Sequence, residues 1–193
     1  MQNILLAAGL ASRSDGEKIF YPYRGRTIIH RAVAASLSAG LFTVVVTGYR
    51  ADEVAAELAD LACPALRIVA NPHYESGQGA STQVGAAALP EPLPFFISLA
   101  DMPLIEARHY HALSSAYTSV PIRPRCGSKA GHPVLLPPSF IPIIAAQARP
   151  FTMRQLLRPY AMEYLDTREE AYVRDVDTAS SYRALINGSL PRS

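Results

Sequence analysis

Three short stretches of the chain hold residues whose types and spacing can do chemistry on a charged substrate. The first runs from Leu6 to Lys18 and reads Leu-Ala-Ala-Gly-Leu-Ala-Ser-Arg-Ser-Asp-Gly-Glu-Lys. Small residues at Ala7, Ala8 and Gly9 let backbone N–H groups come close to an anion or to the edge of a base. Arg13 then offers a planar fork of donors and Lys18 a compact point charge, a pair suited to a polyphosphate. Lys18 is one of two lysines in a chain with sixteen arginines. The stretch is not a P-loop, because no Ser or Thr follows Lys18, and it is not a dinucleotide fingerprint, because Gly9 has no glycine two residues on. A solvated loop with ordinary surface charges is the plainer alternative.

The second stretch, Asn71 to Gly85, is rich in turn residues and small side chains, with Gly77, Gly79 and Ser81 at the start of an expected helix. Glycines beside a helix N-terminus let a phosphate or a base edge meet backbone donors. Ser81 could equally cap that helix. The third feature is Asp101, at the end of an apolar run and followed by Met102-Pro103. A carboxylate there is poorly explained by packing, since burying it costs several kcal/mol (about 2–7) unless it is paired or metal-bound. Mg²⁺ is typically held by one or two carboxylates together with substrate phosphates. Capping of the next helix is the competing role for Asp101. Further on, Asp175-Val-Asp177-Thr178 places two carboxylates two residues apart, on one face if the segment is a strand. Capping of a last helix by Asp177 or Thr178 is the alternative. His132, beside Gly131, could bind a phosphate or simply be exposed. His109 and His111 lie two apart on an expected helix and do not share a face, so they are no metal pair.

The elements that must position these residues alternate between strand and helix. Asn3 to Leu6 reads as a strand entering the first loop. Thr27 can cap a helix through about Ser38, which Gly40 ends. Phe42 to Thr47 is β-branched and short, a central buried strand. A helix over Ala51 to Leu61, a strand over Leu66 to Val69 and a small-residue helix over about Ala80 to Leu89 follow. Pro94 to Leu99 is the next strand, and Glu106 to Tyr117 the next helix. A short strand is expected near Val120, and further late strands over Val134 to Leu136, Ala161 to Leu165 and Tyr172 to Val176, before a final helix to Ile186. Such alternation predicts a mostly parallel sheet with helices on both faces, whose ligands bind at the carboxyl ends of the strands. This singles out the positions after Leu6, Val69 and Leu99. Six prolines between Pro121 and Pro142 weaken the alternation, which suggests an inserted flap or a partner-binding segment around residues 121–160 rather than a second domain.

Composition bounds the reading. With 193 residues, 49% of them hydrophobic and 18% charged, the chain can bury a substantial single core. A net charge of +2 gives no reason to expect a nucleic-acid or membrane surface. The arginine bias reads as genomic base composition. Cys63 and Cys126 fit neither a metal-ligand spacing nor a disulfide framework, which favours reduced thiols and a cytoplasmic setting. The run Ile4 to Ala11 has no basic residue before it and is too short to span a bilayer, unlike a signal peptide or a membrane helix.

Taken together, these stretches resemble the nucleotidyltransferases that activate molybdopterin. The first loop of that family usually reads Leu-Ala-Ala-Gly, with Arg four residues after the Gly, then Met-Gly, then Lys. Gly9, Arg13 and Lys18 fall in register with it. Ser14-Asp15 stands where the pattern has Met-Gly, and the glycine comes one place later at Gly16. An Asp beside a triphosphate opposes its charge, so Asp15 turns outward or nucleotide affinity is reduced. Asn71, Tyr74, Gly77, Ser81 and Gly85 match the spacing of the second motif. Asp175-Val-Asp177-Thr178 and Gly131-His132-Pro133-Val134 are similar to later ones. Arg149 to Arg154 replaces a Gly-rich turn that many relatives carry.

The resemblance, over about residues 2 to 186, implies one α/β domain across residues 1–193, Rossmann-like and of the nucleotide-diphospho-sugar transferase-like type. It implies Mg²⁺-dependent transfer of a nucleoside monophosphate from a nucleoside triphosphate to a phosphate-bearing acceptor, molybdopterin, with pyrophosphate leaving. Arg13, Lys18 and Asp101 are then the catalytic residues. Leu6, Ala7, Ala8, Gly9, Asn71, Gly77, Gly79 and Ser81 join Arg13 and Lys18 in binding the nucleotide. Asp101 and Asp177 hold the metal, with Asp175 ranked behind them, and His132 meets the acceptor. The Ala-Ala-Gly form of the loop favours CTP over GTP. A sugar or polyol phosphate is a further candidate acceptor, and a molybdoenzyme or its chaperone a further partner. A nucleotide-binding regulatory protein without turnover is the alternative from another class, and an NAD-dependent oxidoreductase the remaining one.

Overall fold

The structure is a computed structural model that describes residues 1–8 and 17–187. Its centre is a sheet whose strands run, in spatial order, β5 (Leu66–Ala70), β4 (Phe42–Thr47), β1 (Gln2–Leu6), β6 (Phe95–Leu99), β9 (Val134–Leu136), β7 (Ile122–Cys126) and β10 (Glu163–Thr167). The short β8 (Lys129–Ala130) pairs with β7, and β2 (Pro22–Tyr23) and β3 (Arg26–Thr27) make a separate hairpin. β5, β4, β1 and β6 are mutually parallel, as are β7 and β10. β9 runs antiparallel to both of its neighbours.

The central strands are apolar on both sides because both faces are covered. Ile4 and Leu6 face one core with Val44, Val46, Phe95 and Ile97. Leu5 and Val45 face the opposite one, built with Ile29, Val33, Val54 and Leu58. Helices α1 (Ile28–Ser38) and α2 (Ala51–Glu57) supply that second face. Helices α3 (Gln78–Ala87), α5 (Phe140–Ala145) and α6 (Met153–Leu157) supply the first. α4 (Ala107–Ala116) covers Phe96, Ile122 and Leu135 through Tyr110 and Leu113. The last described helix, α7 (Ala179–Ile186), lies against the start of the β2–β3 hairpin, where the Tyr182 hydroxyl donates to the Pro22 carbonyl at 2.6 Å.

Local signals account for several of these boundaries. Thr27 caps α1 by accepting from the His30 N–H, and Gly40 follows with φ +74°. Thr178 caps α7 with a reciprocal bond to Ser181. Two expectations need correction. Tyr172 to Val176 is not a strand; a 3-10 turn over Glu170–Val173 leads into extended chain. Asp175 and Asp177 therefore do not share the face of a strand. Ser81 does not cap α3, whose N-cap is Gly77 at φ +88°. Residues 121–160, expected to hold an insertion, supply β7, β8, β9, α5 and α6.

Gly85 sets how closely α3 lies on β1. A Cβ there would come 2.3 Å from Ile4 Cγ2 and 3.0 Å from Val46 Cγ2. Gly85→Ala should therefore lower the unfolding free energy by about 1–3 kcal/mol through overpacking. A denaturant titration checks this, with an unchanged midpoint as the contrary result.

Candidate active site

Parallel register puts the ends of β1, β4 and β6 side by side. Leu6 stands opposite Val46 on one flank and Leu99 on the other. The Ala7 N–H donates to the Val46 carbonyl at 2.9 Å, and the Ala100 N–H to the Leu6 carbonyl at 3.1 Å. What leaves these strands is therefore gathered at one edge, where a cavity of about 290 Å³ opens. Leu6, Ala7, Ala8, Lys18, Gly77, Ser81 and Asp101 all line it, from the three strand ends the sequence singled out. Gly9, Arg13, Ser14, Asp15 and Gly16 lie outside the described residues.

Lys18 is the electrostatic centre. Its ammonium donates to Asp101 Oδ2 and to Asp177 Oδ1, each at 2.7 Å. Burial alone would lower its pKa; the Asp101 charge, and hydrogen bonds to Asp101 and Asp177, outweigh that and hold it above its ordinary value. Asp177 reaches this place because the extended chain before α7 is strapped to the strand end, the Val176 N–H donating to the Asp101 carbonyl at 2.9 Å. Asp101 Oδ1 is buried and has no hydrogen-bond partner among the described residues. Asp175, beside this pair, has its carboxyl pushed up by desolvation and then by the charges of Asp177 and Asp101.

The second stretch divides into lining and scaffold. Gly77, Gln78 and Ser81 line the cavity. Asn71 is buried and braces it, with its side-chain N–H donating to Ser81 Oγ at 3.0 Å and its Oδ1 accepting from the His73 N–H at 2.9 Å. Gly79 does not line it. It is buried in α3, where a Cβ would stand 2.2 Å from the Phe151 carbonyl oxygen. Sequence reasoning missed Tyr49 and Arg50, which line the cavity from the end of β4. Tyr49 is 67% exposed, and its ring centroid lies 6.4 Å from that of Tyr74. Arg50 is held over the Phe20 ring, 4.2 Å from its centroid, and bonds Glu53. The signal was available, because the rule that flagged the ends of β1, β5 and β6 applies equally to the end of β4.

Beyond Asp101 two further cavities continue along the same edge. One, of about 300 Å³, is lined by Leu99, Met102, Lys129, His132, Tyr172 and Asp175. A larger one of about 600 Å³ is walled by Leu104, Cys126, Lys129, Arg174, Asp175 and Ser181, among others. Arg149, in the stretch that departs from the family pattern, is tied elsewhere, with its Nε donating to Gln83 Oε1 at 2.5 Å. Among the described residues no group of three or more His, Cys, Asp or Glu is placed to enclose a metal. No described helix is long and apolar enough to cross a membrane.

His132 is held in a defined pose. Its N–H meets the Tyr172 carbonyl at 2.9 Å, and Nδ1 lies 3.4 Å from the Ile97 carbonyl. Burial, then the nearby Arg123 charge, push its imidazole down to about 4. A depressed histidine pKa means that the unfolded chain takes up a proton the folded one refuses. The stability involved is complete above about 6.5 and is lost as pH falls toward about 4. His132→Gln should flatten the loss of stability across that window, measured by denaturant midpoints at each pH. A parallel slope for both proteins is the contrary result.

The comparisons agree with this architecture. Residues 3–167 match the family described as MobA-like NTP transferase domain. The chain is 34% identical over 201 residues to nicotine blue oxidoreductase of Paenarthrobacter nicotinovorans, covering 95% of each protein. It is 25% identical over 179 residues to molybdenum cofactor cytidylyltransferase of Escherichia coli (strain K12), covering 93% of this chain and 92% of that protein. Its fold superposes on a nucleotidyl transferase from Methanothermobacter thermautotroptrophicus with a TM-score of 0.80 at 19% identity, over 97% of this chain and 96% of the other. With the strand order, the shared edge and the family match in agreement, the chain belongs to the MobA-like NTP transferase domain family and is a nucleotidyltransferase.

Proposed function

We propose that the protein moves a nucleoside monophosphate, from CTP in preference to GTP, onto the terminal phosphate of molybdopterin, with Mg²⁺ as its cofactor and pyrophosphate as the leaving group. The observation that carries this reading is the ion-paired set of Lys18, Asp101 and Asp177 at the mouth of a cavity walled by Ala7, Ala8, Gly77 and Ser81. The molybdenum cofactor cytidylyltransferase relative, over nearly the whole chain, supports the acceptor. The Ala-Ala-Gly form of the first loop supports CTP.

The residues present suit a divalent cation. Asp101 has a buried oxygen without a hydrogen-bond partner among the described residues, and Asp101 and Asp177 already converge on one positive charge. Two carboxylates completed by substrate phosphates are an ordinary Mg²⁺ ligand set. The ion would supply Lewis-acid neutralisation of the α-phosphoryl group. Ala7 and Ala8 present backbone to the nucleotide, and Gly77, Gln78 and Ser81 approach it from the start of α3. Tyr49 and Tyr74 offer aromatic surface to the base. Lys18 and Arg13 neutralise charge that develops on the departing pyrophosphate, so no protein nucleophile is needed. The acceptor occupies the cavities on the far side of Asp101, where His132, held neutral, and Lys129 face it. Asp175 stands between the two sides.

The 34% identity to nicotine blue oxidoreductase carries a second reading, a redox activity housed on this fold. One assay separates the two. Wild-type protein with Mg²⁺, molybdopterin and each nucleoside triphosphate should release pyrophosphate fastest with CTP, and Asp101→Asn should cut the rate by roughly a hundredfold to a thousandfold. Absence of release with every nucleotide, combined with consumption of a nicotinamide dinucleotide, would give the redox reading the field. Binding without either reaction would leave a nucleotide-binding regulatory protein.

A further inference from the structure

The proposed metal site is already held by a cation of the chain's own. Lys18 Nζ lies 2.7 Å from Asp101 Oδ2 and 2.7 Å from Asp177 Oδ1, with the lysine and Asp101 side chains 17% and 19% exposed. Partial burial raises the strength of the Lys18–Asp101 contact over that of a surface ion pair, while the Asp177 carboxylate is 61% exposed. It also makes the site intolerant of a second positive charge, because an ammonium and a divalent ion a few ångströms apart repel strongly. Asp101 Oδ1 is left buried without a hydrogen-bond partner among the described residues, so the ammonium answers one side of that carboxylate and not the other. Lys18 belongs to a short 3-10 turn, Glu17–Phe20, on the rim of the same cavity. Its four-carbon stem allows the charge to swing without moving the backbone. A polyphosphate entering that cavity presents more negative charge to the ammonium than two monovalent carboxylates do.

We infer that Lys18, besides facing the leaving group, keeps the Asp101–Asp177 pair closed to divalent ions until a polyphosphate draws its ammonium away, so that metal and nucleotide enter together. The inference rests on the proposed function and deepens it by giving an order to binding. Free metal meets two carboxylates that already share an ammonium. Metal that arrives with a triphosphate finds the carboxylates released, because the ligand that brings it also takes the lysine.

The test is direct Mn²⁺ binding to the full chain in the absence of nucleotide, followed by electron paramagnetic resonance. Lys18→Met should bind Mn²⁺ at least about tenfold more tightly than wild type, the scale set by removing one opposite charge from a carboxylate pair. Lys18→Met/Asp101→Asn should lose that gain. Lys18→Gln keeps polarity at the site and is read in the same way if the methionine variant melts early. Equal or weaker Mn²⁺ binding in a folded Lys18 variant overturns the inference. Failure of the wild-type protein to release pyrophosphate with any nucleotide would sink the proposed function without altering this Mn²⁺ difference. Release of pyrophosphate without the Mn²⁺ gain would sink the inference alone.

Discussion

The parallel pairing of β1 with both β4 and β6 is the constraint on which the site depends. Every strand of that trio stops at the same edge, as Leu6 beside Val46 and Leu99 shows. A shift in register of one residue would turn Ile4 and Leu6 from one core to the other and carry Ala7 away from Asp101. The two apolar faces therefore fix more than stability. They hold Ala7 and Ala8, the exposed Tyr49 and the carboxylate of Asp101 around a single cavity.

A second constraint comes from charge. Lys18, Asp101 and Asp177 lie far apart along the chain, yet one ammonium links them. The backbone bond from Val176 to Asp101 delivers Asp177, and α7 anchors the strap beyond it through Thr178 and Tyr182. The end of the chain thus completes a site begun at its start. Across this seam the two further cavities continue toward β7 and β8, which gives the edge two compartments, with Asp101 lining the first and Asp175 the second.

Much of the central fold was legible in the residues. β-branched Phe42 to Thr47 and the apolar runs ending at Leu6 and Leu99 have no comfortable place outside a doubly covered sheet. Asp101 stood out because a carboxylate at such a strand end lacks a packing reason. Other features lacked a local signal. Val134 to Leu136 is apolar throughout, and nothing in three such residues states that the strand runs antiparallel between β6 and β7. Tyr172 to Val176 has strand-like composition, but Tyr172 is buried against His109 and its carbonyl is taken by His132, so the chain turns instead of pairing. The division of labour between Ser81, which lines the cavity, and Asn71, which braces it, depends on a contact between α3 and the end of β5 that spacing alone does not show. Arg13 and the Ser14-Asp15 departure lie outside the described residues.

On the proposed function, the edge shared by β1, β4 and β6 is a nucleoside triphosphate site completed by a divalent cation. Thermal unfolding of the wild-type protein with each nucleoside triphosphate, with and without Mg²⁺, tests it most directly, because a ligand that binds the folded state raises the transition by mass action. The account predicts a rise that is largest for one nucleotide, CTP before GTP, and that needs both Mg²⁺ and the triphosphate. An unfolding temperature indifferent to every nucleotide with Mg²⁺ present would contradict it.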